Sequence, residues 1–305
     1  MMSNVIAIIW DFDKTLINGY MEDPIFRDYN IDSHSFWKEV SALPKKYEDE
    51  QGIRVNPDTI YLNQILRYVK DGKLSGLSNA RLRSYGEQLD YYPGVPEIFP
   101  KIQQIVESNE DYHIYDIKVE HYIVSTGIAE IIRGSKVMQY VSDVWGCEFI
   151  ESADENGQKV ISEIGYTIDN TTKTRALFEI NKGVGKIDGI TVNTTLPEEH
   201  RRVHFINMVY VADGPSDIPA FSLVNSNQGA TFAIYPKGDM TAMKQVEEMR
   251  KAGRVQMFAE ADYSEGSTAF MWLSAKVEEF ANRICREERA KIEKFTSIKV
   301  PRHLS

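Results

Sequence analysis

Cysteine is scarce in this sequence, and long apolar runs are missing. Only Cys147 and Cys285 occur in 305 residues, too few and too far apart for a disulfide framework or a cysteine metal site. No apolar run approaches the length of a membrane span, and the N-terminus lacks a basic leader followed by a long apolar segment. We therefore expect a cytoplasmic protein that has no membrane partner.

Basic residues are also in the minority. Lysine and arginine number 35 against 45 aspartates and glutamates, which gives a formal net charge of −10. Because nucleic-acid phosphates are held by basic surface, this balance argues against a nucleic-acid partner. With 42% hydrophobic and 26% charged residues, the chain suits one large or two medium globular domains with a substantial core.

Apolar strand patterns recur along the chain, with helical patterns between them. The segment "VIAIIW" at 5–10 is apolar at every position, which is typical of strands in a parallel sheet covered on both faces. Similar patterns occur at 121–127, 207–214 and 230–238, and a weaker one at 254–258. The predicted fold class is α/β, a Rossmann-like parallel sheet core with helices on both faces. The other predicted elements are a hairpin turn at 155–158, a short helix over 174–181 and a long helix over 267–295.

Residues 20–110 interrupt this alternation of strands and helices. Three successive helix-like patterns occupy the interval. We therefore predict a helical insert over 20–110, which divides a core domain made of residues 1–19 and 111–305.

Acidic residues follow two of the predicted strands. Asp11 and Asp13 lie in "DFDKT" at 11–15, and Asp213 and Asp217 lie in "ADGPSD" at 212–217. Ligands of open α/β sheets bind beyond the carboxyl ends of the strands. Four neighbouring carboxylates would repel one another unless a cation lay between them, and oxygen-only ligation suits Mg²⁺. A turn or a helix N-cap is the simpler alternative for these acids, above all for Asp217 before the helix near 218–221.

These segments together resemble the motifs of a known superfamily. "DFDKT", "VSTG" at 124–127, a lysine that opens a helix at 173, and "ADGPSD" resemble in order the four motifs of the haloacid dehalogenase superfamily. The second acid of the first motif resembles the phosphatase branch, and the insert resembles the α-helical cap domain of phosphoserine-phosphatase-like members. The resemblance covers most of the chain, although "VSTG" lacks the glycine-rich form common in those members and 183–205 looks like an extra insertion.

The resemblance implies a role for each motif residue. Asp11 would be the nucleophile that forms an aspartyl-phosphate, and Asp13 would protonate the leaving alcohol and then deprotonate the attacking water. Ser125, with the backbone amides of Thr126 and Gly127, would bind the phosphoryl group; the alternative for Ser125 is a helix N-cap. The expected Mg²⁺ ligands are the Asp11 carboxylate, the Asp13 backbone carbonyl, Asp213, and Asp217 directly or through water.

The lysine of the third motif has three candidates. Lys186 is nearest to the fourth motif, but it lies in the glycine-rich "GVGKIDG". Lys182 ends a predicted helix, where a cation suits the helix dipole. We favour Lys173, which opens the helix, as the residue that neutralises the nucleophile and binds the phosphate.

The sequence thus predicts a Mg²⁺-dependent phosphatase acting on a small phosphorylated metabolite, because a closed lid excludes bulky substrates. The alternatives are a phosphotransferase or nucleotidase of the same fold and a non-catalytic ligand-binding protein. Aromatic residues at helical spacing are more often core than pocket, so no pocket candidate is singled out. The candidates are Phe26, Tyr29, His34, Phe36, Trp37 and Arg54.

Overall fold

The structure, a computed structural model, describes residues 4–297, and these form one seven-stranded sheet with helices on both faces. The strands are β1 (Val5–Trp10), β2 (Lys118–Ile128), β3 (Val141–Ala153), β4 (Lys159–Tyr166), β5 (Met208–Ala212), β6 (Ala230–Tyr235) and β7 (Met257–Glu260).

Eleven α-helices surround the sheet within the same described range. They are α1 (Asp23–Asp28), α2 (Ser33–Gln51), α3 (Ile60–Lys70), α4 (Asn79–Tyr85), α5 (Ile98–Glu107), α6 (Glu110–His113), α7 (Ala129–Arg133), α8 (Lys173–Lys182), α9 (Ile218–Ser226), α10 (Met240–Lys251) and α11 (Thr268–Ser297).

The strand order is β4-β3-β2-β1-β5-β6-β7, and every neighbouring pair is parallel except β3 and β4. Trp10, the last residue of β1, is paired with Ile123 in β2 and with Val211 in β5. The segments that follow β1, β2 and β5 therefore meet at one edge of the sheet, where ligands bind in such folds. The predicted α/β class with a parallel sheet is confirmed.

Strand β1 is apolar throughout because both of its faces are covered. Ile8 and Trp10 belong to a hydrophobic cluster that includes residues of α5 and α11, while Ala7 and Ile9 belong to a second cluster with residues of α8, α9 and α10. Successive side chains of a strand point to opposite faces. A strand covered by helices on both sides therefore has no position at which a polar residue would reach water.

The strands predicted from the sequence are present, with shifted ends. Strand β6 ends at Tyr235 rather than near 238, and β7 begins at Met257. The hairpin turn at 155–158 connects β3 and β4, which are antiparallel. The first half of β3, which pairs in parallel with β2, was not predicted. Ser142, Asp143 and Gly146 interrupt its apolar pattern.

The segment between β1 and β2 is helical, as predicted, and contains α1 to α6. Asp32 accepts a hydrogen bond from the Ser35 N–H at the start of α2, and Gly52, with a left-handed backbone, ends that helix. Helix α5 lies within 20–110 but packs against β2 and α11, so it covers the sheet. The division into two domains at residues 19 and 110 stays a prediction.

No helix within residues 4–297 combines the length and the apolar character needed to cross a membrane.

Candidate active site

The loop after β1 holds two acidic side chains on either side of a buried ring. Phe12 is fully buried in the hydrophobic core, which anchors the loop between Asp11 and Asp13. The Asp11 N–H donates to the Val211 carbonyl 2.9 Å away and continues the pairing with β5. The Thr15 hydroxyl lies 3.4 Å from Asp11 Oδ2. Core packing and strand pairing thus fix the position of Asp11.

Lys173 is brought to Asp11 by the turn that begins α8. The Asp169 carboxylate accepts hydrogen bonds from the N–H groups of Thr171 and Thr172, and the Lys173 N–H donates to the Asp169 carbonyl. The Lys173 side chain is only 1% exposed. Its Nζ lies 2.8 Å from Asp11 Oδ1 and 2.6 Å from Asp217 Oδ1. Burial lowers the pKa of Lys173, but the adjacent carboxylates outweigh that effect and raise it, so the amine stays charged.

The other two lysine candidates are held elsewhere. Lys182 Nζ donates to the carbonyls of Val192 and Thr194. Lys186 Nζ donates to the Ser142 carbonyl, 2.8 Å away. Lys182 thus binds the loop after α8, Lys186 binds the start of β3, and Lys173 alone of the three contacts Asp11.

Asp217 is fully buried and bound on several sides. Besides Lys173, its carboxylate accepts hydrogen bonds from the Tyr210 hydroxyl at 2.6 Å and the Ser216 hydroxyl at 2.8 Å. Asp217 precedes α9, but its side chain makes no capping hydrogen bond. Asp217 occupies the N-cap position of α9, but the alternative in which its side chain caps the helix is wrong.

Three carboxylates converge where a cation could bind. One oxygen each from Asp11, Asp213 and Asp217 lies within 4.8 Å of the others. Burial and the neighbouring acids raise the pKa of Asp213 to about 7, and burial raises that of Asp11 to about 6 despite Lys173. Charged oxygens that are buried and crowded in this way fit a hard divalent cation such as Mg²⁺. The Asp13 carboxylate is not part of this group of three.

The Asp13 carboxylate instead faces the second motif and the start of the helical segment. Its Oδ1 accepts a hydrogen bond from the Met21 N–H at 2.9 Å. Burial, followed by the charges of Glu22 and Asp11, raises its pKa well above the usual value. A Cβ atom at Gly127 would lie 3.3 Å from Asp13 Oδ2 and 2.1 Å from Met21 Cε. Glycine at 127 therefore allows the two loops to approach closely.

The second motif forms the end of β2. The Ser125 hydroxyl is buried and accepts a hydrogen bond from the Gly127 N–H at 3.0 Å. The Thr126 carbonyl accepts a hydrogen bond from the Tyr61 hydroxyl at 2.8 Å, which joins this motif to α3. Helix α7 begins at Ala129 after Ile128, so the alternative of a helix N-cap at Ser125 is wrong.

A cavity of about 320 Å³ opens beside these motifs. Asp13, Thr126 and Ser216 line it from the sheet, and Tyr61 and Trp37 line it from the helical segment. Trp37 is the one residue of the six aromatic and basic pocket candidates that reaches this cavity. Phe26 and Phe36 are core residues, Tyr29 is partly buried against that core, and His34 and Arg54 are exposed.

Several residues of the site were not anticipated from the sequence. Tyr210 is the one residue with a polar group in the apolar strand "MVYVA". A buried hydroxyl needs a hydrogen-bond partner, so this residue could have indicated a polar site nearby. Glu22, Tyr61 and Asp58 line the cavity but lie in helical or irregular segments without a motif. Their sequence context carries no signal for a site, because their proximity depends on how the helices pack.

No family model matches this chain. It is 37% identical over 287 residues to an uncharacterised protein of Borreliella burgdorferi, covering 90% of this chain and 97% of that protein. A HAD-family hydrolase from Salmonella enterica serovar Typhi aligns with a TM-score of 0.52 and 13% identity, over 89% of this chain and 71% of that chain. A phosphoserine phosphatase in its apo form aligns with a TM-score of 0.49 and 16% identity, over 85% of this chain and 96% of that chain. The chain therefore belongs to one family with the Borreliella burgdorferi protein, and its fold is that of the haloacid dehalogenase superfamily.

Proposed function

We propose that the protein is a Mg²⁺-dependent phosphatase that hydrolyses a small phosphomonoester through an aspartyl-phosphate. The observation that carries this proposal is the position of Lys173 Nζ, within hydrogen-bond distance of both Asp11 and Asp217 at the carboxyl end of the central strand. A buried lysine between acids, beside a second aspartate in a cavity, is an arrangement that phosphoryl transfer can use.

In the first step, a carboxylate oxygen of Asp11 forms a bond to phosphorus, and the bond from phosphorus to the alcohol oxygen breaks. The departing oxygen takes a proton from Asp13. The raised pKa of Asp13 suits this role, because a general acid must carry its proton near neutral pH. The product of this step is an aspartyl-phosphate on Asp11 and a free alcohol.

In the second step, Asp13, now deprotonated, takes a proton from a water molecule that attacks the phosphorus. The bond between phosphorus and Asp11 breaks, which releases inorganic phosphate and restores both carboxyl groups. Asp13 thus serves first as the acid and then as the base, and the proton that it gives to the alcohol is replaced by one from water.

Positive charge and hydrogen-bond donors around the phosphoryl group would stabilise the charge that it carries during transfer. Lys173 supplies a charged amine next to the nucleophile, and the Tyr210 hydroxyl holds Asp217, the second acid that positions this amine. The Ser125 hydroxyl and the backbone amide of Thr126 are the proposed donors to the phosphoryl oxygens, because the Gly127 N–H donates to Ser125 Oγ. Ser125 Oγ already accepts the Gly127 N–H, so its own hydrogen is free to point elsewhere.

The residues that would hold Mg²⁺ are Asp11, Asp213 and Asp217, with the backbone carbonyl of Asp13. When bound, the ion would neutralise negative charge on the carboxylates and on the phosphoryl oxygens. The buried and mutually repelling acids fit such an ion.

The size of the cavity supports a small substrate, since about 320 Å³ is near the lower end of small-molecule sites. We also propose that the protein works in the cytoplasm, because both cysteines are free and buried, as expected in a reducing compartment.

The test is phosphate release from a panel of phosphorylated metabolites and from p-nitrophenyl phosphate, with Mg²⁺ and with excess chelator. We expect release with Mg²⁺, loss with chelator and recovery on re-addition. Full activity in excess chelator, or no release from any ester with Mg²⁺, would contradict the proposal.

A further inference from the structure

A carboxylate with one unpartnered oxygen lies in the cavity beside Asp13. Glu22 immediately precedes α1 and is 2% exposed. Its Oε2 atom is buried and has no hydrogen-bond partner within the described part of the chain. Glu22 lines the cavity together with Asp13 and Asp58. Burial raises the pKa of Glu22 to about 7. A ligand that supplies a hydrogen-bond donor or a positive charge would stabilise the ionised carboxylate.

Aromatic rings form another part of the same cavity wall. Tyr20, Trp37 and Tyr61 all line it. The ring centroids of Tyr20 and Trp37 are 5.5 Å apart, and those of Trp37 and Tyr61 are 5.7 Å apart. Ring faces attract cations because of their electron quadrupole, and rings grouped around one space are a known means of binding ammonium groups.

The cavity has no opposing positive charge of its own. None of its lining residues, within the range that the structure describes, is a lysine or an arginine. Lys14 is nearby, but its Nζ donates to the Tyr20 hydroxyl at 2.6 Å and lies 4.2 Å from that ring's centroid. A carboxylate on a substrate would therefore meet acidic side chains in this cavity without a cation to bind it, whereas a cation would meet complementary charge.

We infer that the alcohol part of the substrate carries a positively charged nitrogen and no carboxylate, so that the substrate class is the phosphate monoesters of amino alcohols. The nitrogen binds against Glu22 and the rings of Trp37 and Tyr61, since Lys14 already lies over the Tyr20 ring. The phosphate end of the ester lies towards Asp11 and Asp13. The position of the phosphate rests on the proposed function, and the binding of the nitrogen rests on the residues that line the cavity.

The test of substrate class compares kcat/KM, in the presence of Mg²⁺, for four esters. O-phosphoethanolamine and phosphocholine carry a cation alone, phosphoserine adds a carboxylate, and glycerol 2-phosphate has neither. We expect at least one of the first two to exceed both others by tenfold or more. Equal values for all four esters, or a preference for phosphoserine or glycerol 2-phosphate, would overturn the inference.

The role of Glu22 is tested with Glu22→Gln, which keeps the shape of the side chain and removes its charge. The ratio of kcat/KM for the cationic ester to that for glycerol 2-phosphate should fall at least tenfold, mainly through a higher KM for the cationic ester. The matched control is Glu48→Gln, because Glu48 is exposed on α2 and outside the cavity. An unchanged ratio in Glu22→Gln would refute the assignment.

The inference and the proposed function can fail separately. Release of phosphate from p-nitrophenyl phosphate without any preference for cationic esters would leave the phosphatase proposal in place and overturn the substrate class. If no ester is hydrolysed, calorimetry still measures the affinity for phosphocholine, O-phosphoethanolamine and glycerol 2-phosphate. Tenfold tighter binding of a cationic ester that is lost in Glu22→Gln would support the cation site, and equal binding would overturn it.

Discussion

Lys173 and Asp11 are 162 positions apart in the chain, yet their Nζ and Oδ1 atoms are 2.8 Å apart and both side chains are buried. The contact joins the start of α8 to the end of β1, and Asp217 binds the same amine from the start of α9. The end of β1 and the starts of α8 and α9 therefore meet at the Lys173 amine. Removing the Lys173 amine would leave two buried carboxylates without a neighbouring positive charge, and such a loss is strongly destabilising in general.

Lys173→Ala should lower phosphatase activity by about 10²–10³-fold, because a charge that stabilises the transferring phosphoryl group is lost. Lys182→Ala and Lys186→Ala are the matched controls, since those amines bind backbone carbonyls. Steady-state kinetics of the three variants gives the comparison, and circular dichroism shows whether each is folded. A folded Lys173→Ala variant with wild-type activity, or an inactive Lys186→Ala variant, would contradict the assignment.

The two acids of the first motif should differ in their dependence on the leaving group. Asp11→Asn should lose activity on every substrate, because it removes the nucleophile. Asp13→Asn should lose about 10²–10⁴-fold on alkyl phosphates, as expected for a missing general acid, and much less on p-nitrophenyl phosphate, whose leaving group needs little protonation. Rates over a series of leaving groups measure this. Parallel losses in both variants for all leaving groups would argue against these roles.

Asp213 should reduce the stability of the protein when no divalent cation is bound. Burial and the nearby acids raise its pKa from 3.8 to about 7, so the folded state binds more protons than the unfolded chain between those values. Its contribution to stability therefore falls as pH rises through this interval. At pH 8 without divalent cations, Asp213→Asn should melt a few degrees higher than the wild type.

Saturating Mg²⁺ should reverse that order, because binding to the folded state alone stabilises the wild type by mass action. Differential scanning calorimetry with and without Mg²⁺ makes the measurement. Asp188→Asn, at an exposed position, is the control and should melt like the wild type in both conditions. If Mg²⁺ raises the melting temperature of the wild type no more than that of Asp213→Asn, Asp213 is not a ligand of the ion.

His121 should make the fold sensitive to acid. Trp10 Nε1–H donates to its Nδ1, and its Nε2 lies 3.2 Å from the Phe99 carbonyl, so the ring fits its partners when neutral. Burial lowers its pKa from 6.5 to about 4. The unfolded chain therefore binds a proton between pH 6.5 and 4 that the folded state does not, and stability falls as pH is lowered through that window.

At pH 5 this loss should be about 2 kcal/mol relative to pH 7.5. Urea unfolding of the wild type and of His121→Phe at both pH values measures it. The variant has lost the titrating group, so the difference between its two stabilities should be smaller by that amount. The same pH dependence in both proteins would show that other groups cause it.

The sequence by itself determined the arrangement of strands and motifs. A short apolar run such as 5–10 is typical of a strand covered on both faces, since no position could meet water. Asp11 and Asp213 follow strands β1 and β5, and the parallel pairing of those strands brings their ends together. Strand periodicity and the succession of strands and motifs along the chain are local properties, which the sequence encodes directly.

Only the tertiary structure decided which lysine reaches the nucleophile. Lys173, Lys182 and Lys186 all lie between β4 and β5. Spacing to the fourth motif favoured Lys186, whereas the start of a helix favoured Lys173. The choice depends on the Asp169 turn and on the packing of α8 against the sheet. The meeting of Glu22 and Trp37 at one cavity depends even more on the tertiary structure. These residues come from separate helical segments, and the sequence pattern does not orient those segments. Proximity between distant segments depends on helix packing, which no local pattern specifies.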